Sequence, residues 1–116
     1  MRTMLTTGCV LLAMVLSMAG PAGAHDAESA VVALDSPSVL VSLVTLAAGT
    51  STGIHMNPEP ELIIVAEGEL VLVTRHGKEV LKAGRVAFLR TGTGHEVRNE
   101  SAQPVKLWAA NVKKCE

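Results

Sequence analysis

The chain has 116 residues, ten Lys and Arg against eleven Asp and Glu, and one Phe and one Trp as its only aromatic side chains. A nearly neutral chain with scattered basic residues and no aromatic platform is excluded as a nucleic-acid binder, and the run Arg75 to Lys78 is expected to be a solvated hairpin tip. The length is enough for one small domain.

The first segment is expected to lie outside that domain. "MRTMLTTGCVLLAMVLSMAGPAGA", residues 1–24, carries one early charge at Arg2, an apolar run from Val10 to Met18, and then Gly20-Pro21 ahead of the small-residue pattern Ala22-Gly23-Ala24. That is the layout of a secretory signal peptide. A membrane span needs about twenty uninterrupted apolar residues, whereas this run breaks at Ser17 and stops at Gly20-Pro21. Cys9 stands before most of the apolar region, which argues against a lipid-anchored cysteine. Export to the periplasm or beyond is therefore expected, with no membrane attachment after cleavage. Cys115 would be the one cysteine left, so no internal disulfide is expected in spite of the permissive compartment.

Residues 25–37, "HDAESAVVALDSP", read as a polar leader that either stays mobile or adds an edge strand. The domain proper is assigned to residues 38–116. There, short runs rich in Val, Ile, Leu and Thr alternate with Gly, Pro and Asn, without a helical period. The first is "VLVSLVTLA"; next comes "ELIIVAEGELVLVTRHGKEVLKAGRVAFL", punctuated at Gly68, Gly77 and Gly84; the last are "HEVRN" and "VKLWAANV". Many short strands at even spacing predict an all-β domain, two packed antiparallel sheets or a small barrel that encloses a pocket.

The polar residues of chemical interest sit in "GTSTGIHMNPEPELIIVAEGE", residues 49–69. On an extended strand His55 and Asn57 point to one side, with Met56 opposite. Pro58 and Pro60 donate no ladder hydrogen bonds, so the strand must bend or end there, and the bend lets Glu61 swing back toward the first two. His95, which opens the run after the turn Thr91 to Gly94, is the candidate further partner. Two imidazoles and a carboxylate suit Mn, Fe, Ni, Co or Zn, and match the donor set of the facial triad in non-haem Fe(II) oxygenases.

These residues resemble the two motifs of the cupins. Gly49, His55, Glu61 and Gly68 fall at the spacings of the first motif, with Asn57 where a second histidine is expected. Gly84, Gly92, His95 and Asn99 fall at those of the second, with Arg90 in place of a proline. The resemblance covers Gly49 to Asn99, with the compact inter-motif stretch Glu69 to Ala83 of small single-domain members.

It implies a small jelly-roll-like β-barrel, with a divalent transition metal inside held by His55, Glu61 and His95. Asn57 would be a weak ligand or a substrate contact, because an amide oxygen is neutral and a poorer donor than imidazole. Arg90 would loosen the turn that a proline fixes. The implied functions are metal-dependent binding of a small anionic or oxygen-rich ligand, with turnover of the dioxygenase, isomerase or decarboxylase kind. The alternatives are a non-catalytic binding or sensing module and a metal-free structural barrel. A homodimer formed through the sheets is also implied.

The remaining expectations are structural. Gly49, Gly68, Gly84 and Gly92 serve turns and bulges, Asn99 caps a strand end, Glu59, Glu67 and His76 face water, and Phe88 and Trp108 belong to the barrel core.

Overall fold

The computed structural model describes residues 28–113, and among these every regular element is a β-strand. The expected signal segment and Cys115 lie outside the described residues. The strands are β1 (Glu28–Asp35), β2 (Val39–Leu46), β3 (His55–Met56), β4 (Glu61–Glu67), β5 (Glu69–Thr74), β6 (Gly77–Lys82), β7 (Val86–Leu89), β8 (Gly94–Arg98) and β9 (Val105–Val112). They form a five-stranded sheet in the order β1-β2-β9-β4-β7 and a four-stranded sheet in the order β3-β8-β5-β6. Every pairing is antiparallel. This is the all-β architecture of two antiparallel sheets that the strand punctuation predicts, in the jelly-roll-like form that the resemblance implies.

The two sheets enclose one core. Leu46, Ile63, Val65, Leu107 and Val105 from the larger sheet pack with Leu70, Leu72, Leu81 and Val97 from the smaller. Alternation along each strand selects these positions: on β4, Glu61, Ile63 and Val65 turn inward and Leu62 and Ile64 do not. The four glycines assigned to turns all adopt positive φ. Gly68, between β4 and β5, is the most constrained, because a Cβ there would stand 3.1 Å from the Pro104 carbonyl oxygen and 3.2 Å from Val105 Cγ2.

The segment 28–35 takes the edge-strand form. It pairs with β2 from Glu28↔Leu46 to Asp35↔Leu40, with a bulge between Val32 and Leu34.

Phe88 and Trp108 depart from expectation. Neither belongs to the core: Phe88 is 58% exposed and Trp108 is half-buried. Register explains why, since Phe88 pairs with Leu62 and Trp108 pairs with Ile64, both on the outer side of the larger sheet. That outer side is itself apolar. Phe88, Leu62, Ala110 and Val41 make one cross-strand row, and Val86, Ile64, Trp108 and Leu43 make the next.

Candidate metal and ligand site

The short strand β3 exists because the chain before it is already tied to β8. Thr52 exchanges two hydrogen bonds with Val97, its N–H donating to the Val97 carbonyl (2.9 Å) and its Oγ1 accepting from the Val97 N–H (3.1 Å). The Asn99 N–H donates to the Thr50 carbonyl (2.8 Å), and Ser51 bridges to Arg98. This register sets His55 directly opposite His95. Their rings lie 4.2 Å apart between centroids, tilted by 60°.

Beyond His55, burial continues to alternate through the proline-rich bend, with Asn57, Glu59 and Glu61 all buried. Asn57 and Glu59 each precede a proline, which restricts them to extended conformations and so preserves the period of two. Glu59 is accordingly 8% exposed and does not face water as expected, whereas Glu67 and His76 are exposed. The bend is held from the other side as well, by the Gly92 N–H donating to the Asn57 carbonyl (3.0 Å). The turn carrying Arg90 closes without a proline, the Thr93 N–H donating to the Arg90 carbonyl (3.1 Å).

Glu61, at the start of β4, brings its carboxylate across from the larger sheet. Glu61 Oε1 accepts from the Asn57 side-chain amide and stands 3.4 Å from His95 Nε2. Each histidine is fixed at its other nitrogen, His55 Nδ1 on the Gly53 carbonyl (3.1 Å) and His95 Nδ1 on the Thr93 carbonyl (3.0 Å). A carbonyl only accepts, so both Nδ1 atoms carry the proton, and Nε2 is the free donor atom of each neutral ring. Burial alone would lower the His95 pKa. The contact with Glu61, the Thr93 carbonyl and the Glu61 charge outweigh it, and the pKa stands above the ordinary histidine value.

The structure thus brings His55, Asn57, Glu61 and His95 together. Among the described residues, no three His, Cys, Asp or Glu side chains already stand as a closed metal-binding group. The donor chemistry nonetheless fits a cation. With Nδ1 protonated, His95 Nε2 directs a lone pair at a carboxylate, an arrangement that needs a proton or a metal between them. Two adjacent ligands, each about 2.1 Å from one metal, stand about 3.0 to 3.4 Å apart. Asn57 points its amide N–H at Glu61, so it orients a ligand in the way outer-shell partners do.

Asn99 behaves differently. Its side-chain amide donates to the carbonyls of Leu46, Ala47 and Gln103 and accepts from the Ser101 N–H and hydroxyl, which makes it a clamp on backbone.

The four clustered residues open onto a cavity of about 330 Å³. Its walls come from inward positions of β2, β9 and β4, and also from Glu28, Ala30 and Val32 of β1. The β1 contribution is not legible in the sequence, because the leader's run "ESAVVALD" has apolar residues of both parities.

The Cupin_2 family, described as cupin domain, matches residues 42–111. The chain belongs to the cupins. Among solved structures, the protein TT1209 from Thermus thermophilus is 27% identical with a TM-score of 0.71, over 76% of this chain and 85% of its own. A predicted oxalate decarboxylase from Thermotoga maritima is 22% identical, with a TM-score of 0.69 over 75% of this chain and 81% of its own. A cupin-superfamily sugar phosphate isomerase from Silicibacter pomeroyi is 24% identical, with a TM-score of 0.67 over 77% of this chain and 61% of its own. The last two establish likeness of fold alone. No curated protein matches the chain.

Proposed function

We propose that this chain is an exported cupin that binds one divalent transition metal through His55, Glu61 and His95 and holds a small ligand in the adjoining cavity. The observation that supports this reading is the pair of histidines fixed through Nδ1, with Glu61 Oε1 facing His95 Nε2 at 3.4 Å. Asn57 is assigned to hold Glu61. A metal in this set would supply Lewis-acid polarisation and leave positions open for a ligand. The test is elemental analysis of the mature protein beside His95→Ala, before and after incubation with Mn, Fe, Ni, Co and Zn. Near-stoichiometric metal in the wild type, absent from the variant, is expected. Negligible metal in both would overturn the assignment.

Turnover of the dioxygenase, isomerase or decarboxylase type is the second reading, and it rests on those open positions. Oxygen uptake or ligand consumption by the metal-loaded protein, lost in His95→Ala, would support it over simple binding or sensing. Export predicts that the mature protein begins at His25, which mass spectrometry reads directly. We assign the apolar rows that include Leu62, Phe88 and Trp108 to a homodimer interface, since Phe88 and Val86 stand exposed on that side and adjoining exposed apolar side chains mark association surfaces. Phe88→Glu should give a monomer by light scattering if that assignment is right.

A further inference from the structure

The cavity has an uneven chemistry. Four of its polar side chains cluster together, His55, Asn57, Glu61 and His95, while Leu40, Val44, Ile63, Val97, Leu107 and Ala109 supply aliphatic walls. The apolar surface continues outward onto Ala30 and Val32 of β1. That strand runs eight residues along the edge of the larger sheet, whereas β3, at the edge of the smaller, runs two. The inner side of β1 is therefore incompletely covered, and Val32 keeps 57% exposure while lining the cavity.

Charge narrows the occupant further. Among the described residues, no Lys or Arg lines the cavity, and its formally charged side chains besides histidine are Glu28 and Glu61. Burial pushes the Glu28 carboxyl up. A divalent cation at the histidines would be balanced by these two carboxylates. A phosphate or dicarboxylate would then bury two further negative charges with no cationic side chain among the described lining residues to pair them, which is costly. Among the described residues, the two imidazoles are the aromatic rings that line the cavity, since Phe88 and Trp108 lie on the far side of the sheet. The Thr52 hydroxyl is committed to the Gly53 carbonyl and the Val97 N–H, which leaves Ser42 and Asn111 as the uncommitted neutral polar points along the walls.

We infer that the ligand of this barrel is a mostly aliphatic small molecule with no more than one negative charge, its polar head at His55, Glu61 and His95 and its chain along β2, β9 and β1. This inference rests on the ligand-holding part of the proposed function, and it does not need the metal. It also separates this chain from a sugar phosphate isomerase, whose ligand carries a phosphate.

The test is calorimetric titration of the mature protein, metal-loaded and metal-stripped, with acetohydroxamic, butanohydroxamic, hexanohydroxamic and octanohydroxamic acids. These probes chelate a metal when one is present and are uncharged at neutral pH when it is not. Affinity should rise about twofold to fourfold per added methylene in both forms, the upper figure being that for full burial. Val32→Asp, at an exposed wall position, should weaken the octanoyl probe at least tenfold and leave the acetyl probe unchanged. A flat chain-length series in both forms, or tighter binding of oxalate or a hexose phosphate than of the octanoyl probe by the metal-loaded protein, would overturn the inference. If the protein takes up no metal but the chain-length series still rises, the metal assignment fails and the aliphatic ligand stands.

Discussion

Two buried polar residues of opposite character bracket one strand. His95 lies near the start of β8 and Asn99 directly follows its last residue, both in the inward phase with Val97 between them, and they are 2% and 1% exposed. Asn99 commits its polar atoms to backbone groups at the end of β2 and in its own turn, and to the Ser101 hydroxyl of that turn. His95 commits one nitrogen to backbone and directs the other at Glu61 beside a cavity. Equal burial therefore says little about role. What separates a clamp from a site is whether the lone pairs and protons end on the protein's own backbone.

The comparison predicts that the two ends of β8 fail in different ways. The largest effect belongs to His95→Ala, which should abolish metal uptake altogether. In metal-free protein the same substitution should cost only about 1–2 kcal/mol, because Glu61 keeps its Asn57 partner. Asn99→Ala should do the reverse. It strands buried carbonyls and should cost about 3 kcal/mol of stability, while the fraction that remains folded still binds one metal. Thermal unfolding with and without metal, run on both variants, reads the two effects separately. Similar stability losses with metal uptake retained in both would mean that the two ends do not differ.

A smaller effect should come from Asn57, which touches the site only through Glu61. Asn57→Ala should weaken metal binding about ten- to a hundredfold, the usual scale for removing an orienting partner. Competition with a chromogenic chelator measures this. Asn57→His is the sharper variant, because it supplies the missing imidazole at that position. Tighter binding there would show that a fourth ligand position is geometrically available. Weaker binding would show that the hold on Glu61 matters more than another donor.

The same division runs through what the sequence discloses. His55, Glu61 and His95 are legible because motif spacing places each at the same phase of its strand, and strand pairing then has few ways to set them apart. Phe88 and Trp108 are not legible from hydrophobicity, because both sides of the larger sheet are apolar. On β9, Leu107 and Ala109 face in while Trp108 and Ala110 face out, and alternation alone cannot orient such a strand. Lys106 shares the parity of Trp108 and Arg90 that of Phe88, and those charges are the signal that could have fixed the direction. Glu59 is obscured because two prolines suggest the end of a strand, when the residue before each proline is held extended. The role of β1 is obscured by a run whose apolar residues fall on both faces.

The smallest expected effect is a pH dependence confined to the His95 end. In metal-free protein the groups facing His95 are the Glu61 carboxylate and the His55 ring, with the Thr93 carbonyl on Nδ1. Because the folded-state pKa of His95 is raised above its ordinary value, the protonated ring is better accommodated in the fold than in the unfolded chain. That contribution is fully present below the ordinary histidine pKa of about 6.5, and it is lost as pH rises through the higher folded-state value. Stability of the stripped wild type should therefore fall gently from mildly acidic to mildly alkaline pH, and His95→Gln should flatten the slope. Asn99→Ala should keep the slope while lowering the whole curve. A bound metal takes the place of the proton, so loading should reverse the trend, with binding weakening as acid protonates the rings. Urea unfolding across that range, with and without metal, distinguishes these cases. A slope that survives His95→Gln would place the titrating group elsewhere and remove the proton's part in the contrast between the two ends of β8.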